Sequence, residues 1–114
     1  MTKLAIIGSR DFTDYDLLKE KADSLNPSII ISGGASGADY LAERYAKKNN
    51  KPIKIYHADW QRHGRAAGPI RNKEIVKNSD HILAFWDGES RGTLSSINLA
   101  KKYDVPCDII YFSK

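Results

Sequence analysis

Ile29-Ile30-Ile31-Ser32-Gly33-Gly34-Ala35-Ser36-Gly37-Ala38-Asp39 decides how this chain folds. The isoleucine run suits a strand covered on both faces. The glycines that follow make a turn in which backbone can come close to a ligand. Beyond it, Ala38, Leu41, Ala42, Tyr45 and Ala46 fall at i, i+3, i+4, i+7 and i+8, the apolar stripe of a helix. A helix start presents unpaired N–H groups and a partial positive charge, a combination that holds phosphate.

The same unit recurs downstream. Ile82 to Trp86 reads as a strand, Trp86-Asp87-Gly88-Glu89-Ser90-Arg91-Gly92-Thr93 as a second glycine turn, and about Thr93 to Tyr103 as a helix with Leu94, Ile97 and Ala100 inward. Working outward, Leu4 to Ile7 predicts a first strand ending at Gly8, followed by a helix from about Asp14 to Leu25 that Pro27 breaks. Asn49-Asn50 closes the central helix, and Ile53 to Tyr56 is the next strand. Ala58 to Gly68 shows no period and is expected to be an irregular, functional or mobile loop. Pro69 fits the first turn of a helix running to about Asn78, and Ile109 to Phe112 makes the last strand.

Apolar strands alternating with helices predict an α/β fold: one Rossmann-like, doubly wound parallel sheet of about five strands, order 3-2-1-4-5, with helices on both faces. Ligands of such sheets sit beyond the carboxyl ends of the strands, at the switch point between strands 1 and 4. Gly8-Ser9-Arg10 and both glycine turns arrive there.

Composition narrows the class. A chain of 114 residues suits a single domain, 1–114, with 41% hydrophobic and 28% charged residues as in ordinary globular proteins. No apolar run approaches a membrane span, and Met1-Thr2-Lys3 carries no signal-peptide pattern. Cys107 is the only cysteine, so no internal disulfide forms and a cytoplasmic location is expected. The net charge of +4 suits an anionic ligand without implying nucleic acid.

Each motif has a functional and a plain reading. Ser9 and Arg10 offer a hydroxyl and a guanidinium for phosphate; the alternative is a tight turn with an exposed arginine. Gly33, Gly34 and Gly37 allow close ligand approach. Asp39 can accept from ribose hydroxyls, or close an S-x-x-D capping box with Ser36. Gly88 to Gly92 matches the G-x-S-x-G nucleophile elbow, but no histidine follows Ser90, so Asp87, Gly88, Ser90, Gly92 and Thr93 read as a phosphate cradle. His57, Asp59 and His63 fit no metal-ligand spacing, and neither metal nor cofactor is expected. Trp60 can stack on a base or plug the loop onto the core. Arg71, beside Asn72, sits where a helix dipole disfavours cations, which points to ligand contact.

These residues carry a resemblance. Gly8-Ser9-Arg10-x-Phe12, Ser32-Gly33-Gly34-Ala35-x-Gly37-Ala38-Asp39, Ala58-Asp59-Trp60, Gly64-x-x-Ala67-Gly68-Pro69-x-Arg71-Asn72 and Ala84-Phe85-Trp86-Asp87-Gly88-x-Ser90-x-Gly92-Thr93 resemble the SLOG superfamily, in its small YspA-like or YpsA-related branch. The resemblance implies a Rossmann-like domain for nucleotides or nucleotide-derived ligands, and a homo-oligomer. Relatives include cytokinin-activating LOG-type phosphoribohydrolases and DNA-processing proteins. Against the LOG pattern, Arg71 lies nine positions ahead of Asp80 and matches the catalytic arginine, Asn72 replaces a lysine, and Gly92-Thr93 matches the phosphate loop. Leu94-Ser95-Ser96 stands where that pattern carries glutamates.

Three functions follow, in this order. The first is a sensor, carrier or sponge that binds a nucleotide signal. The second is a phosphoribohydrolase cleaving an N-glycosidic bond, with Arg71 and Asp39 or Asp87 as catalytic groups. The third is single-stranded nucleic-acid binding, for which only scattered basic residues speak.

Overall fold

The computed structural model describes residues 2–113. Its elements run β1 (Lys3–Gly8), α1 (Tyr15–Leu25), β2 (Ile29–Ser32), α2 (Ala38–Lys48), β3 (Ile53–Ile55), α3 (Trp60–His63), a 3-10 turn (Gly64–Ala66), α4 (Ala67–Lys77), β4 (His81–Trp86), α5 (Arg91–Lys102) and β5 (Cys107–Tyr111). All strand pairs are parallel, in the order β3-β2-β1-β4-β5. This is the doubly wound α/β sheet that the sequence predicts.

Strand alternation splits the core into two layers. Leu4, Ile6, Ile30, Leu83 and Phe85 face Leu18 and Ala22 of α1 and Ala38, Leu41, Ala42, Tyr45 and Ala46 of α2. Ala5, Ile7, Ile31, Ile82 and Ala84 face Ile75 and Val76 of α4 and Ile97 and Ala100 of α5. Burial on both faces explains why these strands read as unbroken apolar runs. Phe12 closes the first layer at the strand ends: it is buried, stacks on Phe85 at 4.5 Å and meets Phe112 edge-on at 5.0 Å.

Four local expectations are adjusted. The stretch from Ala58 to Gly68 is not irregular: α3, the 3-10 turn and the start of α4 occupy it. Asp59 caps α3 by accepting from the Arg62 N–H at 3.1 Å. A four-residue helix is too short to leave a period. Helix α4 begins at Ala67, so Pro69 stands third in it, still within the turn whose N–H groups lack helical partners. Leu94 is 39% exposed, because α5 turns Thr93, Ser96, Ile97 and Ala100 inward instead. Strand β5 also starts two residues earlier than expected, at Cys107.

Among the described residues no helix is long and apolar enough to cross a membrane.

Candidate ligand-binding cleft

Strands β1 and β4 run side by side from Leu4↔His81 to Gly8↔Phe85, then part. The chain leaves β1 towards α1 on one face and β4 towards α5 on the other. Between them opens a cleft of about 430 Å³, lined by residues that include Ser9, Arg10, Asp39, Arg71, Gly92 and Thr93. Gly8, Asn72, Asp87 and Ser90 also reach its wall. Gly33, Gly34, Gly37, Trp60 and Gly88 are not on that wall. Ala35, Asp11 and Glu89 are, and the sequence reading did not single them out; Ser96, at the place of the LOG glutamates, is there too.

Ser9 is the knot of the site. Its N–H donates to the Phe85 carbonyl at 3.0 Å, and its carbonyl accepts from the N–H groups of Phe12 (3.2 Å) and Ala38 (3.3 Å). Its buried hydroxyl accepts from the Asp87 N–H at 3.3 Å. One residue thus joins the ends of β1 and β4 to the start of α2. Arg10, next in the chain, is exposed on the cleft wall.

The first glycine turn closes on protein. A Cβ on Gly37, whose φ is +70°, would collide with the carbonyl oxygens of Ser9 and Arg10. On Gly34, with φ +73°, it would press against His57 and Ile55. On Gly33 it would stand 2.8 Å from Arg71 Nη1 and 3.0 Å from Asp39 Oδ2. At these positions the missing side chain makes room for protein groups. Arg71 takes the space so freed, donating through Nη1 to the Gly33 carbonyl at 2.7 Å and through Nε to Asn72 Oδ1 at 2.9 Å. Arg71 also lines the cleft, and a guanidinium carries five N–H donors, more than these two bonds use.

Asp39 is the buried carboxylate of the cleft, 7% exposed. Its Oδ2 accepts from the Ala35 N–H at 3.2 Å. The S-x-x-D capping box does not form: Gly37 is the N-cap of α2 and Asp39 ties back the loop ahead of the helix. Burial pushes the Asp39 carboxyl up to about 6; the Ala35 bond and the charge of Arg71 pull it down, Glu43 raises it, and Arg10 lowers it.

The second glycine turn spends its side chains on itself. Asp87 Oδ1 accepts from the N–H groups of Glu89 and Ser90, both at 2.8 Å. Ser90 is the N-cap of α5, accepting from the Thr93 N–H at 3.4 Å and bonding the Thr93 hydroxyl at 3.1 Å. That leaves the first N–H groups of α5, at Arg91 and Gly92, without helical partners. A Cβ on Gly92 would meet nothing within 4 Å.

Trp60 lies outside the cleft, 57% exposed on α3, with its ring edge 3.4 Å from where a Gly68 Cβ would be. Cys107 is half-buried, and burial pushes its thiol up to about 11, which keeps it unreactive.

Known proteins share this architecture. The chain is similar to DNA processing protein A from Streptococcus pneumoniae, with a TM-score of 0.82 at 19% identity over 99% of this chain and 51% of that one. It is also similar to DNA processing protein A from Helicobacter pylori, a protein described for its single-stranded DNA binding mode, with a TM-score of 0.72 at 24% identity. That match covers 95% of this chain and 64% of the other. The chain therefore spans between half and two thirds of both, and the likeness is one of fold. In sequence it is 36% identical over 117 residues to the Gene 61 protein of Mycobacterium phage D29, covering 93% of this chain and 94% of that protein. Residues 2–63 match the YspA, cpYpsA-related SLOG family, and with the phage relative matched nearly end to end the chain belongs to that family.

Proposed function

We propose that the cleft binds the phosphate-bearing end of a nucleotide or nucleotide-derived ligand, and that the protein acts as a sensor, carrier or sponge of such a molecule. One observation carries this reading. The first turn of α5 offers the Gly92 N–H group beside open space, in the same cleft as Arg10 and Arg71. Helix N–H groups and guanidinium forks are the two standard partners of phosphate oxygens. The volume of about 430 Å³ is in the range of small-ligand sites.

The reading is one of binding without turnover. Ser96, buried on the cleft wall, stands where LOG-type enzymes carry a glutamate. A nucleotide panel should raise the melting temperature by linkage, and Arg10→Ala should remove the rise. Nucleoside monophosphates incubated with the protein should release no free base. Release dependent on Arg71 would replace this reading with that of an enzyme.

A second reading is single-stranded nucleic acid as the ligand. The Helicobacter pylori structure favours it, together with exposed Trp60 flanked on α3 and the 3-10 turn by exposed Arg62 and Arg65. Stacking on an indole and phosphate contacts from arginine are the means by which proteins hold single strands. Affinity for an oligonucleotide that falls steeply with salt, and falls again in Trp60→Ala, would establish it.

A further inference from the structure

Resting on the phosphate reading of the cleft, we propose that Asp39 makes anion binding proton-coupled: the carboxylate takes up one proton from solvent as an anion enters, and the resulting acid donates a hydrogen bond to the ligand.

The placement of Asp39 carries this. It lines the same cleft as Arg10, Arg71 and the α5 N-terminus, yet it is almost fully buried. Its carboxylate accepts a single hydrogen bond, from Ala35, and it is ion-paired to neither arginine. Arg71 is turned to the Gly33 carbonyl and to Asn72 instead. Arg71 and Asp39 flank the same point, the absent side chain of Gly33, so Arg71 is close without neutralising the acid by contact.

The charged groups around Asp39 come from every wall. Glu43 lies one turn on in α2, Arg10 and Asp11 lie after β1, Arg71 lies on α4, and Asp87 and Glu89 lie before α5. The carboxyl already titrates at about 6 in this setting. A bound anion adds a like charge in a confined, partly dry space, and a like charge raises a carboxyl further. Near neutral pH the anion therefore enters with a proton. Protonation weakens the Ala35 bond without breaking it, because Oδ2 can keep that bond while the other oxygen carries the hydrogen. The bookkeeping is one proton gained by the complex and none lost elsewhere.

The probe is sulfate, whose charge is constant across the range tested, followed by NMR at the Gly92 amide. Because binding takes up a proton, affinity should weaken as pH rises, by about fivefold from pH 6 to 7 and close to tenfold from pH 7 to 8 at full coupling. Asp39→Asn keeps an oxygen for the Ala35 N–H and should bind sulfate with no pH dependence. Calorimetry of the unaltered protein in two buffers of different ionisation enthalpy should show about one proton taken up at pH 7. Sulfate bound with equal affinity at pH 6 and 8, and with no proton uptake, would overturn the coupling and leave the phosphate reading intact. Sulfate that failed to move the Gly92 amide at any pH would overturn both.

Discussion

Arg71 Nη1 lies 2.7 Å from the carbonyl oxygen of Gly33, a residue 38 positions earlier in the chain. The bond ties the start of α4 to the end of β2 and aims a guanidinium at the cleft. It exists because Gly33 has no side chain: a Cβ there would stand 2.8 Å from Nη1.

Gly33→Ala should therefore move the arginine before it moves the fold. The nearest group in the way is the far end of a flexible side chain, and the Asp39 carboxylate at 3.0 Å has to give only slightly, so stability should fall by only about 1 kcal/mol, while nucleotide affinity falls with the misplaced guanidinium. Gly37→Ala is the contrast. Its Cβ would meet the backbone carbonyls of Ser9 and Arg10 at a φ of +70°. A rigid clash at a left-handed position should cost about 3 kcal/mol or more. Chemical denaturation of both variants, beside nucleotide titrations, separates the two roles.

Gly92→Ala inverts that pattern. The added methyl meets no protein atom within 4 Å, and alanine is the better helix former by about 0.5–1 kcal/mol. The variant should be as stable as the parent or more so, and it should lose affinity for nucleotides. Unchanged affinity in a folded Gly92→Ala protein would move the phosphate away from the first turn of α5.

Phe12→Ala tests how the loop after β1 is held. Phe12 is 1% exposed and packs between Phe85 and Phe112. Truncating a buried phenylalanine costs about 3–5 kcal/mol. Its N–H, which alanine keeps, bonds the Ser9 carbonyl; without the ring to anchor that N–H, the variant should lose order at Ser9 and Arg10 as well as global stability. Denaturation midpoints and amide exchange at residues 9–11 measure the two effects.

Much of this was legible in the sequence because the apolar spacing is strong. The Ala38 to Ala46 stripe is buried as its period demands, and the parallel sheet follows from apolar runs joined by helices, with the expected strand order one of those that right-handed crossovers allow. What escaped had no periodic signal or a competing one. Helix α3 is a single turn started by the Asp59 cap. Leu94 is apolar yet exposed, since Thr93 and Ser96 take the inward positions near the cleft. Ser9, Ser90 and Asp87 read as ligand contacts and do line the cleft, yet hydroxyls and carboxylates in a glycine turn serve ligands and loops alike. Here their hydrogen bonds go to the Asp87, Thr93, Glu89 and Ser90 amides. Glycine types were visible; whether each makes room for protein or for open space depends on neighbours far away in the chain.

Asp39 gives the fold a pH dependence of its own. Its folded value of about 6 lies above the ordinary 3.8, because burial disfavours the charged form. Between those two values the folded state binds more protons than the unfolded one, so stability falls as pH rises through that window. Well below pH 4 the acid is neutral in both states and contributes no penalty; well above pH 6 the full penalty is present. Two pH units correspond to about 3 kcal/mol at most. Asp39→Asn removes the charge while keeping an acceptor for Ala35. The stability gained by the substitution should thus be small near pH 4, grow up to pH 6 and level off beyond it. Denaturant unfolding of both proteins at pH 4, 5, 6 and 7 measures the difference. A gain that is constant across this range would mean that Asp39 is ionised in the fold as easily as in the unfolded chain, and that the cleft is wetter than its burial indicates.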